Sequence, residues 1–169
     1  MPQNPYQHGR TLVVAFEGWN DAGDAATGAV RRLRDLLDLD VIHEVDPEVY
    51  IDYQFSRPIV SSDDDGARRI IWPGITMYGP ADPLAVLRID DVEPGAPRVV
   101  GENADNLYLL FGTEPSRAWK TFATEIVETA LAHDIEFVIL LGALLADVPH
   151  SRPISVFGTS ASREVRRAF

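Results

Sequence analysis

The sequence predicts an α/β fold built on a mixed, largely parallel sheet, and three segments carry that prediction. Residues 11–16 form an apolar run that enters Glu17-Gly18-Trp19-Asn20-Asp21-Ala22-Gly23. Residues 107–111 enter Gly112-Thr113-Glu114-Pro115-Ser116, and residues 137–141 enter Gly142 and then Asp147-Val148-Pro149-His150. Each apolar run meets a glycine with polar residues beyond it, from Asn20 after Gly18, from Thr113 after Gly112 and from Asp147 after Gly142, and the first two lead into helical patterns. The carboxyl ends of parallel strands gather side chains from distant segments into one crevice in this way. The three turns are therefore expected to open side by side along a common lip.

Taken in chain order, residues 1–10 are polar, lack the apolar run of a signal peptide and read as a flexible tail. Residues 23–37 read as an amphipathic helix, with Ala26, Val30, Leu33 and Leu37 on one stripe and Asn20 or Asp21 as its cap. Residues 41–45 then give a second strand and complete a βαβ unit, for which a right-handed crossover is expected. Residues 46–105 are broken by seven prolines and recurrent glycines, so hairpins or a meander are expected there. Short strands fit at 49–53, 69–72, 84–89 and 98–100. Asp63-Asp64-Asp65-Gly66 reads as an exposed turn, because a calcium loop needs further ligands at set spacing.

Residues 116–133 give the clearest helix. Trp119, Phe122, Ala123, Ile126, Val127, Ala130 and Leu131 form a stripe whose burial is worth about 1.5–3 kcal/mol per large side chain. Pro115 stops the preceding strand and Ser116 is the expected N-cap. Residues 137–141 complete a second βαβ unit. A strand is expected over 154–157, then a turn at Gly158-Thr159-Ser160-Ala161-Ser162, then a helix opening over 163–169 with Val165, Ala168 and Phe169 on one face. A helix of two turns is marginal alone, so the expectation is one domain, 1–169, cut short within a larger fold.

Composition narrows the function classes. The chain has no cysteine, which removes disulfides, thiolate catalysis and zinc–thiolate sites. No apolar run approaches the ~20 residues that span a bilayer, and a cytoplasmic protein with no membrane partner is expected. A formal net charge of −11 argues against nucleic-acid backbones and anionic membranes as partners. Lys120 is the single lysine and every other basic residue is arginine, a bias typical of a GC-rich genome.

Motifs with chemistry are weak. Gly18 and Gly23 have P-loop spacing, but Asp24 and Ala25 stand where Lys and Ser/Thr belong, and Glu17, Asp21 and Asp24 would repel phosphate. No Gly-x-Gly-x-x-Gly follows the strand, which speaks against a dinucleotide site. Gly158 to Ser162 matches a nucleophile elbow only loosely, and a turn with a helix cap is the simpler reading. Glu17, Asp21, Asp24, Glu114 and Asp147 could crowd one rim, where paired carboxylates do acid–base work or bind a hard cation. Acids beside a helix start also simply cap it.

Among His8, His43, His133 and His150, none has a partner at zinc-ligand spacing. His150 follows a strand end and precedes Arg152, so it is placed to line the crevice, with a structural hydrogen bond as its simpler role. Trp19, Trp72 and Trp119 are expected in the core or the crevice wall. The candidate crevice residues are Glu17, Trp19, Asn20, Asp21, Glu114, His150 and Arg152. No catalytic residue, cofactor or metal is assigned.

Together these segments resemble the PAC2 family, the proteasome assembly chaperone 2 superfamily. The stretch from Phe16 to Thr27 is similar to its opening motif, Gly112 to Phe122 to its central motif, and Leu141 to Pro153 to its third. Asp52-Tyr53, Arg57-Pro58 and Trp72-Pro73 fit the same pattern, and the match is closest to the actinobacterial branch. The resemblance implies a three-layer α/β/α sandwich akin to nucleoside phosphorylases and hydrolases. It also implies assembly into dimers or higher rings, a trimer among them, and eukaryotic relatives chaperone proteasome assembly. Family members continue past the point where this chain stops, with a Glu-Gly-Pro-Thr-Gly-like motif and further helices.

Three readings follow. The first is a non-enzymatic protein-binding or assembly factor acting as a homo-oligomer. The second is a nucleoside-binding or phosphorylase/hydrolase-like protein in which Glu17, Asn20, Asp21 and Glu114 grip ribose hydroxyls or base edges and Arg152 binds an anion. The third is a structural partner of the proteasome or another assembly.

Overall fold

The computed structural model describes residues 9–37, 39–63, 65–80, 106–149 and 151–166. The first strand, β1 (Arg10–Glu17), is followed by a 3-10 turn at Ala22–Asp24 and helix α1 (Ala25–Leu37). Strand β2 (Leu39–Val45), the one-turn helix α2 (Pro47–Tyr50) and the strands β3 (Ile59–Ser62), β4 (Arg68–Ile71) and β5 (Ile75–Pro80) come next. Then follow β6 (Leu107–Thr113), α3 (Trp119–Ala132), β7 (Ile135–Leu141) and the single turn α4 (Arg163–Arg166).

Among the described residues, five strands form one sheet in the order β2-β5-β6-β1-β7, and β3 and β4 pair separately as a hairpin. β1 is parallel to β6 on one side and to β7 on the other. β5 is antiparallel to β6 and β2 antiparallel to β5, so the sheet is mixed, with β5 running against the rest. The fold is thus mixed α/β. Both β-α-β segments are present, but neither joins neighbouring strands. β7 lies on the far side of β1 from β6, so the β6–α3–β7 connection crosses β1, and β2 sits at the far edge with β5 and β6 between it and β1.

Residues 11–15 are buried because β1 has a strand on each side and packing on both faces. Strands in that position read as unbroken apolar runs. Alternation divides the core in two. Leu12 and Val14 share one face with Ile75, Met77, Tyr108, Leu110, Tyr50 and Phe122 of α3. Val13 and Ala15 share the other with Leu109, Phe111 and with Ala26 and Val30 of α1. The stripe predicted for α1 is therefore the buried one.

The stripe predicted for α3 is buried only in part. Phe122 and Ala130 are covered, whereas Val127 and Leu131 are 55% and 68% exposed. Beside them, Val138 and Leu140 of β7 are 63% and 69% exposed. No described element packs over this side, so these side chains forgo the roughly 1.5–3 kcal/mol that full burial gives each.

Several expected elements differ. Residues 49–53 are not a strand: Asp46 accepts a hydrogen bond from the Glu48 amide at 3.0 Å and Pro47 opens α2. Proline at the first helical position, behind an aspartate cap, favours that turn. The strand expected at 69–72 exists as β4, but it pairs with β3 outside the main sheet. Residues 154–157 form no strand, having no neighbour to pair with among the described residues, and Ile154, Val156 and Phe157 are exposed. Ser116 does not cap α3, whose cap position is Ala118 in the left-handed region (φ 52°). The Ser116 hydroxyl instead accepts from the Asp52 amide at 2.7 Å, and its own amide donates to the Tyr50 carbonyl at 2.9 Å. The strands expected at 84–89 and 98–100, the tail at 1–8, and Ala168 and Phe169 lie outside the described residues.

Gly112 fixes how β5 meets β6. Its φ is 146°, and a Cβ there would sit 2.0 Å from the Gly74 carbonyl oxygen. The Thr113 amide donates to that same oxygen at 2.9 Å. Only glycine permits this approach, which carries Trp72-Pro73 over the end of β6. No described helix is long and apolar enough to cross a membrane.

Candidate functional site

The parallel registry Phe16↔Gly112 and Glu17↔Thr113 brings the ends of β1 and β6 level, and Ala15↔Leu141 does the same for β7. Past the strands, the Ala143 amide donates to the Asn20 carbonyl at 2.7 Å and the Ala22 amide to the Ala143 carbonyl at 3.0 Å. The turns led by Gly18, Gly112 and Gly142 therefore do share one lip.

Glu17 anchors that lip. Its Oε2 accepts from the Thr113 hydroxyl at 3.1 Å, across the β1–β6 pair, and its Oε1 is ion-paired with Arg31 of α1. The Arg31 guanidinium also lies 6.0 Å from the Phe111 ring centroid, within cation–π range. One residue beyond Thr113, Glu114 places Oε2 3.8 Å from where a side chain on Gly18 would begin.

Opposite the strand ends stands the base of the β3–β4 hairpin. Ser56, Arg57, Ile59, Ile71, Trp72 and Pro73 face Glu17, Gly18, Arg31, Thr113, Glu114, Pro115 and Ser116 across a cleft of about 610 Å³. Trp72 is held edge-on by Tyr53, with ring centroids 5.2 Å apart. Among the described residues no hydrogen bond or ion pair engages Arg57 or Glu114, whereas Glu17 and Arg31 satisfy each other.

Of the residues predicted for the crevice, Glu17 and Glu114 line this cleft. Asp21 does not; it is 4% exposed and turned into the fold. Its carboxylate accepts from the Ala26 amide at 2.6 Å, the Thr27 amide at 3.2 Å and the Thr27 hydroxyl at 2.5 Å, capping α1. Burial pushes this carboxyl up, but the Thr27 hydroxyl, the two amides and the Arg31 charge outweigh it and hold it below its ordinary value. Trp19 is 90% exposed, and neither it, Asn20 nor Arg152 is among the cleft's walls. His150 lies outside the described residues. The tryptophans are thus less enclosed than expected, because only Trp72 borders the cleft and Trp119 packs against Phe16 and Phe122 from the rim of α3.

Sequence reasoning missed Arg31, Arg57 and Thr113 as cleft residues. Arg57-Pro58 and Trp72-Pro73 were visible as dipeptides, and proline explains why each chain turns sharply into the cleft wall. A second polar cluster was also missed. Glu125 of α3 accepts from the Tyr50 hydroxyl at 2.5 Å and bonds His43 Nε2 at 2.7 Å, tying α2 and β2 to α3. The hydrogen bond to Glu125, then burial, then the charges of Glu125 and Asp46, push the Tyr50 phenol up to about 12. No group of three or more metal-ligating side chains is assembled among the described residues.

The family model of the PAC2 family matches residues 15–169. A PAC2 family protein from Streptomyces avermitilis is 39% identical, with a TM-score of 0.70 over 94% of this chain and 60% of its own. A proteasome-assembly chaperone homologue from Mycobacterium tuberculosis is 37% identical, with a TM-score of 0.71 over 94% of this chain and 60% of its own. A Mycobacterium tuberculosis protein of unknown function is 28% identical, with a TM-score of 0.74 over 98% of this chain and 51% of its own. The chain thus spans 51–60% of the length of these relatives. None of the proteins of curated function matches it. With the three strand-end motifs aligned on one lip and the family model matching from Ala15 onward, the chain belongs to the PAC2 family.

Proposed function

We propose that this chain is a non-enzymatic protein-binding or assembly factor that works as a cytoplasmic homo-oligomer, a trimer being one form. One observation carries the reading: α3, β7 and the segment after it present large apolar side chains that no described residue covers. Val127, Leu131, Val138 and Leu140 are joined by Leu144 and Leu145, which are 81% and 92% exposed. Soluble monomers rarely leave apolar patches of more than a few hundred Å² open, and larger ones mark interaction sites. Among the described strands β7 is also an edge strand. A relative named as a proteasome-assembly chaperone homologue supports the class of role. The helices on the two sheet faces support a three-layer α/β/α sandwich, the fold of the phosphorylase-like proteins.

Light scattering across a concentration series tests the reading. The expected mass is a whole multiple of the single chain, falling toward one chain in Leu140→Asp and Leu145→Asp variants. A single-chain mass at every concentration overturns it.

A second reading, small-ligand binding by the strand ends, is favoured by the cleft itself. It supports a nucleoside-like ligand less well than the sequence suggested, because the Asp21 carboxylate is committed to α1 and Arg152 is not in the walls.

A further inference from the structure

We propose that the cleft binds a short apolar peptide with free, charged ends, an inference that rests on the second reading above. The argument begins with charge. Of the four ionic side chains in the walls, Glu17 and Arg31 neutralise each other. Arg57 and Glu114 remain, and they pair neither with each other nor with any other described group. A ligand that satisfies both must carry an anion and a cation at once.

A nucleoside is uncharged at neutral pH and would leave both groups unmatched. A phosphate would answer Arg57 but would also face Glu114 and Glu17. A zwitterion answers both, its carboxylate on the guanidinium as a forked pair and its ammonium on Glu114. The remaining walls (Ile59, Ile71, Trp72 and Pro73 from the hairpin, Pro115 from the strand end) are apolar and suit hydrocarbon or aromatic side chains between the two ends. Trp72 is 56% exposed and braced by Tyr53, so its ring offers a fixed face. The cleft is open on one side and holds about 610 Å³, more than one free amino acid fills.

Calorimetric titration with four probes tests this. They are a tripeptide of leucine, phenylalanine and leucine with free ends, its amino-acetylated form, its carboxamide form, and adenosine. The free tripeptide is expected to bind, and capping either end to weaken it about ten- to hundredfold, the value of one charge-assisted bond. Arg57→Ala should remove the penalty for the carboxamide and leave that for acetylation, and Glu114→Gln should do the reverse. Among the described residues neither side chain has a partner, so both variants should keep the wild-type circular dichroism spectrum. Adenosine binding that is lost in Trp72→Ala, with none by the tripeptide, overturns the peptide class and leaves the cleft as a ligand site. No binding by any probe, or tripeptide binding indifferent to capping and to both variants, overturns the proposal.

Discussion

Replacing Asp21 with alanine should destabilise the fold far more than its place beside a solvent-exposed turn suggests. Its carboxylate receives two α1 amides and the hydroxyl of Thr27, which is itself fully buried. Loss of a helix cap costs about 1 kcal/mol. A buried hydroxyl left without its acceptor costs about 1–3 kcal/mol more. The sum is about 2–4 kcal/mol, or about 4–16 °C in melting temperature for a chain of this size.

Urea unfolding followed by far-ultraviolet circular dichroism measures it, and the midpoint should fall with no change in m. Asp21→Asn keeps one acceptor and should lose less. The pH dependence has a definite sign. The folded carboxyl sits below its ordinary value of 3.8, so the unfolded chain takes up the proton first. The contribution is therefore complete above that value and is lost as pH falls through the folded one. The gap between wild type and Asp21→Asn should close in strong acid. An Asp21→Ala protein within about 0.5 kcal/mol of wild type, the spread of ordinary surface substitutions, would refute the capping argument.

Gly112→Ala should cost about 3 kcal/mol or more, from overpacking plus backbone strain, and appear as lost soluble yield or a collapsed melting transition. A wild-type melt would show that the Gly74 carbonyl is not where it is placed. Glu125→Ala strips His43 and Tyr50 of a shared acceptor and should lower the urea midpoint, with Glu125→Gln intermediate. In a near-ultraviolet absorbance titration, the Tyr50 phenol should ionise at about 12 in wild type and nearer 10.0 in Glu125→Gln. Because its folded value is the higher one, the stability it contributes holds below 10.0 and is lost as pH rises through about 12.

The legible parts of the fold were those where one local signal decided the matter. β1, β6 and β7 were readable because apolar runs ending in glycine mean the same thing in every parallel sheet, and α1 because its stripe has a single face to bury. Periodicity reports the apolar face of α3 and not what covers it, so the exposure of Val127 and Leu131 is not legible in the stripe. β5 escaped notice because Pro73, Gly74, Gly79 and Pro80 read as breakers. Yet Gly79 is needed there: a Cβ would meet the Tyr108 ring at 2.8 Å. In the site, Glu17 and Glu114 followed from strand ends alone. Arg57 and Trp72 come from a hairpin that docks through tertiary contacts, which no local pattern encodes. The sequence admits Asp21 both to the crevice and to the cap, and the buried Thr27 hydroxyl turns it to the cap.

The contact between Gly74 and Gly112 means that the gap between hairpin and strand ends is set by main chain meeting main chain. The side chains of Arg57, Ile59, Ile71 and Trp72 line that gap without setting its width. Substitutions at those four positions change the chemistry of the walls and leave their spacing alone.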